Sequence, residues 1–115
     1  MSFVLKQTDS YKWPVSIDIP IDGGKHQRHT FDGEFRRITQ SRVREMGELI
    51  DQGDLTDIDV VKEVLLGWDG IENEKNEVVP FSVTALNQLL EVPLVATSIA
   101  TAFFESIAGA KKKPK

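Results

Sequence analysis

The side chains able to do acid–base or metal chemistry are few, and their spacing separates them. The chain has no cysteine and two histidines, so thiolate nucleophiles, disulfides and cysteine–metal sites are excluded. His26 and His29 fall in a stretch whose alternation predicts a β-strand, which turns them to opposite faces, so one metal ion cannot be chelated by both as it would be by a helical pair. They read as one surface histidine and one inward or edge histidine. A nucleophile–base pair would have to recruit one of these two, and the spacing places no serine beside either. The acidic runs are no better ordered for chemistry. A calcium loop needs oxygen ligands at its first, third and fifth positions, a glycine at the sixth and a glutamate at the twelfth. Counted from Asp69, the third, sixth and twelfth are Ile71, Glu74 and Pro80; counted from Asp51, the third and sixth are Gly53 and Thr56. These acids, with Asp54, Asp57 and Asp59, read as helix caps and solvated loops. Gly23-Gly24 precedes a strand, not a helix, and is a hairpin turn rather than a phosphate cradle. The sequence therefore predicts no catalytic residue, no metal site and no cofactor, and the protein is read as a non-enzyme.

The charge balance points away from nucleic acid. There are 14 basic and 18 acidic residues, a net charge of −4. Lys111, Lys112, Lys113 and Lys115 are four of the basic ones, so the body of the chain is more acidic still. An acidic body with a short basic end does not make a phosphate-binding surface, and residues 111–115 read as a disordered basic tail. Met1 to Gln7 lacks the basic and apolar regions of a signal peptide. No window reaches the roughly 20 apolar residues that span a bilayer; Val92 to Ala108 comes nearest and holds Thr97, Ser98, Thr101, Glu105 and Ser106. A chain of 115 residues is one domain by size, able to fold without metal or disulfide staples.

Residues 3–37 read as β. Trp13, Val15, Ile17, Ile19 and Ile21 alternate with Pro14, Ser16, Asp18 and Pro20, the signature of a strand with one buried face. The two prolines confine it to an edge or fray its ends. Asp22-Gly23-Gly24 is a turn, and the return strand carries Phe31 and Phe35 inward. Met1 to Lys6 is a candidate third strand. Residues 40–109 read as helical. A helix over 40–52 has Ser41 as its cap and Val43, Met46 and Ile50 as its inward stripe, with Gly53 closing it. A second starts at Thr56 or Asp57 and presents Val61, Val64, Leu65 and Trp68, ending at Gly67-Trp68-Asp69-Gly70. Residues 71–77 form an exposed polar loop.

The organising stretch is the last. Ser82 caps a helix to Glu91 with Leu86, Leu89 and Leu90 on one face, and Phe81 is placed to staple onto it. Val92-Pro93 breaks the chain, and a nearly uncharged helix follows from Leu94 to Ile107, with Pro93 suited to its first turn and Gly109 to its C-cap. Val95, Ile99, Ala102, Phe103 and Ile107 recur at helical spacing. A helix this apolar must be covered, by its own domain or by a partner. In the first case Trp68, Phe81, Leu90, Phe31 and Trp13 pack around it. Ala96, Ala100 and Phe104 mark the outer face expected to serve self-association or client contact. Read as a helix-turn-helix the pair fails, because Leu94 to Ile107 offers no Arg, Lys, Asn or Gln to base edges.

Val61-Lys62-Glu63-Val64-Leu65-Leu66-Gly67-Trp68-Asp69-Gly70-Ile71, strongest over Val64 to Gly70, with Val79-Pro80-Phe81-Ser82, Leu89-Leu90, Val92-Pro93 and the alanine-rich Phe103-Phe104-Glu105 helix, resembles the tail assembly chaperones of long-tailed phages and prophages. Ile19-Pro20-Ile21-Asp22-Gly23-Gly24 and Phe31-Asp32-Gly33-Glu34-Phe35 resemble the opening of the same family. The resemblance covers most of the chain, from Trp13 to Lys113, and its motifs are structural rather than catalytic. It implies a non-enzymatic protein of the host bacterial cytoplasm that binds the tape measure protein, keeps its apolar helical segments soluble and recruits tail tube subunits. Some such genes frameshift to an extended product, and adenine-rich codons for Lys111-Lys112-Lys113 would suit that.

The expectation is thus an α+β single domain over 1–110, an N-terminal antiparallel β-hairpin or small sheet followed by about four helices. Its partners are the tape measure protein, the tail tube protein and further copies of itself, with neither nucleic acid nor membrane. Trp68, Asp69, Phe81, Phe103 and Phe104 are the candidate contact residues, with Trp68, Phe81 and Phe103 also readable as core. The alternatives are a structural tail or neck protein of the virion, which would persist in purified particles, and a small DNA-binding regulator, which would show salt-dependent DNA retention.

Overall fold

Two long strands carry the architecture because their sequence alternates. In the computed structural model, which describes residues 2–108, β1 (Ser10–Ile21) and β2 (Lys25–Arg36) pair antiparallel along their whole length, with Val15 opposite Phe31 and Tyr11 opposite Phe35. Gly23 and Gly24 turn the hairpin at φ of 85° and 74°, backbone that residues with a Cβ adopt only at a cost. One face, with Val15, Ile17, Phe31 and Phe35, is buried. The other is polar and tied by cross-strand pairs: Arg28 Nε donates to Asp18 Oδ1 at 3.0 Å, and Lys12 Nζ reaches Asp69 Oδ2 at 2.7 Å. Pro14 and Pro20 share a parity, so the free edge of β1 lacks two donors and is a poor template for another strand.

The sheet is completed from the stretch predicted to be helical. After α1 (Gln40–Asp51) and α2 (Asp57–Val64), the chain leaves the helix at Leu65 and runs as β3 (Leu65–Asp69), antiparallel to β2, in the order β1-β2-β3. Gly67-Trp68-Asp69-Gly70 is therefore strand and its exit, not a helix end, and the described residues 2–7 add no strand. Gly33 lies in register between Trp13 of β1 and Trp68 of β3. Trp13 itself stays 37% exposed and outside the core, contrary to the sequence expectation.

The helices obey their caps. Thr39, not Ser41, caps α1, accepting from Arg42 N at 3.1 Å. Gly53 ends it with Gly53 N donating to Ile50 O and Asp54 N to Leu49 O, the paired bonds of a Schellman close. Met46 is the fully buried member of the α1 stripe, and Ile50 is exposed. Thr56 and Asp59 form a capping box on α2. Arg42 of α1 grips Glu63 of α2 with both ends of its guanidinium, at 2.8 and 2.6 Å.

α3 (Val83–Leu90) starts at Ser82, which accepts from Ala85 N at 3.0 Å. α4 (Val95–Ala108) begins one residue later than predicted, because Leu94 sits at φ 77° and Pro93 falls in the connection instead of the first turn. The two helices bend by 106° at this corner, and among the described residues no single helix is long and apolar enough to cross a membrane. α4 lies against β1 and α2 and buries Val95, Ile99, Ala100, Ala102 and Phe103. Phe103 meets Phe35 edge-on at 5.4 Å between ring centroids. The predicted C-cap, Gly109, and the lysine tail lie outside the described residues.

Candidate functional site: an apolar cleft at the α3–α4 corner

The inward stripe of β1 is longer than the helices that cover it. Val15 and Ile17 are buried, Ile19 is half-buried and Ile21 is exposed. Past Ile17 the stripe runs beyond the α3–α4 corner and leaves a cleft of about 250 Å³. Its sheet wall is Ile17, Ile19 and Phe31, its far wall Leu89, Val92 and Val95, and Ile71 closes one end with Glu72 and His29 at the rim. The floor is dry, since Ile17 and Val95 are 5% and 2% exposed, whereas Val92 on the lip is 41% exposed. Next to it Leu94, a bulky apolar residue, is held at positive φ. Such strain costs of order 1–2 kcal/mol and persists only where the surroundings impose it.

The acidic loop beside the cleft is built, not loose. Glu72 bridges to Val78, and Asn73 Oδ1 accepts from Lys75 N at 2.8 Å and Glu77 N at 3.1 Å. Of its acids, Glu72 lines the opening, and Glu74 and Glu77 follow in the same exposed loop. The cleft is smaller than the roughly 300–1,000 Å³ of small-molecule sites and is lined mainly by aliphatic side chains and Phe31. It suits two or three apolar side chains of another polypeptide. Among the described residues no group of three or more His, Asp or Glu could hold a metal ion.

The residues singled out in the sequence do not converge on this cleft. Phe103 is fully buried, so the core reading of that residue holds. Phe104 is half-buried and packs edge-on against Phe103 at 5.3 Å. Ala100, expected on the outer face of the last helix, is buried, because α4 is sandwiched between β1 and α2. Trp68 is half-buried, donates its Nε1–H to Val79 O at 2.7 Å and meets Phe81 edge-on at 4.9 Å. Asp69 is exposed and paired with Lys12 across the outer sheet face. That partner holds the Lys12 ammonium above its ordinary pKa. The cleft residues Ile19, Ile71 and the Leu89–Val92 turn come from three separate segments. The Trp13–Ile21 alternation reaches one of them, Ile19, and no spacing signal joins it to the other three.

No protein-family model, curated protein or solved structure matches the chain.

Proposed function

We propose that the protein is a tail assembly chaperone of a long-tailed phage or prophage, acting in the host bacterial cytoplasm without chemistry or cofactor. The observation that carries the reading is the solvent-open apolar cleft between the distal half of β1 and the α3–α4 corner. A holdase for helical segments needs such a groove, into which an amphipathic helix lays two or three apolar side chains. The Val64–Gly70 and Val79–Ser82 motifs supply the link to tail assembly, and the acidic composition keeps a client-loaded chain soluble. On this reading the client is an apolar segment of the tape measure protein, and the loaded chaperone then recruits tail tube subunits.

Co-expression tests it. The full-length tape measure protein of the same phage or prophage is expected to move from the insoluble to the soluble fraction with this chain and to co-purify with it. Val92→Glu, which sets a charge on the exposed lip, is expected to abolish both effects while the far-UV spectrum is unchanged. No complex and no gain in solubility with the unaltered chain would overturn the proposal.

A further inference from the structure

The cleft has a matching occupant in the chain's own N-terminal arm. Phe3, Val4 and Leu5 are three consecutive apolar residues that are 82%, 65% and 90% exposed. A run of this kind is a liability unless something covers it. We infer that the arm of one copy seats Phe3 and Leu5 in the cleft of a second copy, so that the free protein is an arm-exchanged dimer.

Reach excludes the alternative that the arm fills its own cleft. Arg37 N donates to Asp9 O at 2.9 Å and Arg37 Nε to Thr8 Oγ1 at 3.3 Å, which pins the root of the arm at the start of β1. From Thr8 a fully extended arm carries Phe3 about 17 Å. Ile17 and Ile19 lie roughly 23 and 30 Å along β1 from Ser10, with Thr8 on the far side of Ser10. The arm falls short of its own cleft, and a second copy brings the two together.

Charge agrees with this pairing. The arm between Ser2 and Thr8 carries Lys6 and no acid, whereas the loop beside the cleft carries Glu72, Glu74 and Glu77 against Lys75. With Phe3 and Leu5 seated, Lys6 falls at the rim that Glu72 lines. The prolines on the edge of β1 discourage association through that edge. The inference concerns the chain alone and stands whatever client the cleft serves; a client for the same cleft would displace the arm and separate the copies.

The absence of cysteine makes the test direct. Phe3→Cys and Val92→Cys chains, mixed and mildly oxidised, are expected to form a mixed disulfide dimer far faster than Val92→Cys mixed with Gly47→Cys, whose new side chain points into open space on α1. Sedimentation of the unaltered chain is expected to show a reversible dimer, and Leu5→Asp is expected to weaken it by at least about tenfold with an unchanged circular dichroism spectrum. A strictly monomeric unaltered chain, a Leu5→Asp chain that associates as before, or equal rates for the two cysteine pairs would overturn it. So would a disulfide closed within one chain in a Phe3→Cys/Val92→Cys double variant. The tape measure co-expression is a separate measurement, so either idea can fail without the other.

Discussion

Replacing Trp68 by phenylalanine distinguishes a tryptophan that holds the fold from one that meets a partner. The indole N–H donates to Val79 O at 2.7 Å, and the ring meets Phe81 edge-on at 4.9 Å. Phenylalanine keeps the aromatic contact, which is worth about 0.5–1.5 kcal/mol, but loses the hydrogen bond. Loss of such a bond costs about 0.5–1.5 kcal/mol, at the lower end here because Val79 is only half-buried and water can replace the donor. The smaller ring gives up a few tens of Å² of buried apolar surface, roughly 1 kcal/mol at about 25 cal/mol per Å². The sum is about 1–2.5 kcal/mol, which lowers the melting temperature by roughly 4–10 °C in a domain of this size. Urea unfolding followed by circular dichroism at 222 nm measures it, and client binding is measured on the same preparation. The structural account predicts lower stability with client affinity unchanged once the folded fraction is matched. Stability unchanged within about 0.5 kcal/mol together with a tenfold loss of client affinity would refute it and make Trp68 a contact residue.

Three further outcomes follow from the geometry. Leu94 at φ 77° accepts asparagine well and a β-branched residue badly; Leu94→Asn is expected to be neutral within about 0.5 kcal/mol, and Leu94→Val to cost at least about 1 kcal/mol in urea unfolding. Phe103→Ala is expected to cost about 3–5 kcal/mol because the ring is fully buried against Phe35, whereas Ile107→Ala, 41% exposed on the same helix, is expected to cost less than about 1 kcal/mol. The Arg42 guanidinium holds the Glu63 carboxylate below the usual range, and the Thr56 backbone N–H and hydroxyl do the same for Asp59. Folded-state pKa values depressed in this way contribute stability that is present above the unfolded value and lost as pH falls toward the folded one. The urea midpoint is therefore expected to drop between about pH 5 and pH 3, and to drop less in Glu63→Gln.

Much of the fold was legible because local signals and packing agreed. The hairpin followed from the Trp13–Ile21 alternation and the Asp22-Gly23-Gly24 turn, and Ser82, Thr56 and Gly53 marked helix boundaries by their hydrogen-bonding and backbone chemistry. The third strand was hidden because Val61, Val64, Leu65 and Trp68 continue a helical stripe in the sequence, while the chain leaves the helix at Leu65 to pair with β2. A tertiary demand, the open edge of β2, overrode the period. Five residues between Val64 and Gly70, with glycines at 67 and 70, are also a strand-length run. The capping residue of α1 lay two positions upstream of the one expected, since Thr39 offers the same hydroxyl as Ser41. The site was the least legible part. The aromatic residues that drew attention, Trp68, Phe81 and Phe103, pack against one another or the sheet, and the mostly aliphatic cleft residues entered the sequence reading only as members of structural motifs, not as contacts. Only the topology brings Ile19, Ile71, Leu89 and Val92 together.

The central claim is that a client's apolar side chains enter the cleft at the α3–α4 corner. Amide chemical-shift mapping of the isotope-labelled chain, titrated with a helical segment of the tape measure protein, measures this directly. The account predicts saturable shifts centred on Ile19, Ile71, Leu89 and Val92. Shifts centred instead on the polar sheet face around Lys12, Asp18 and Arg28, or none at all at millimolar peptide, would contradict it.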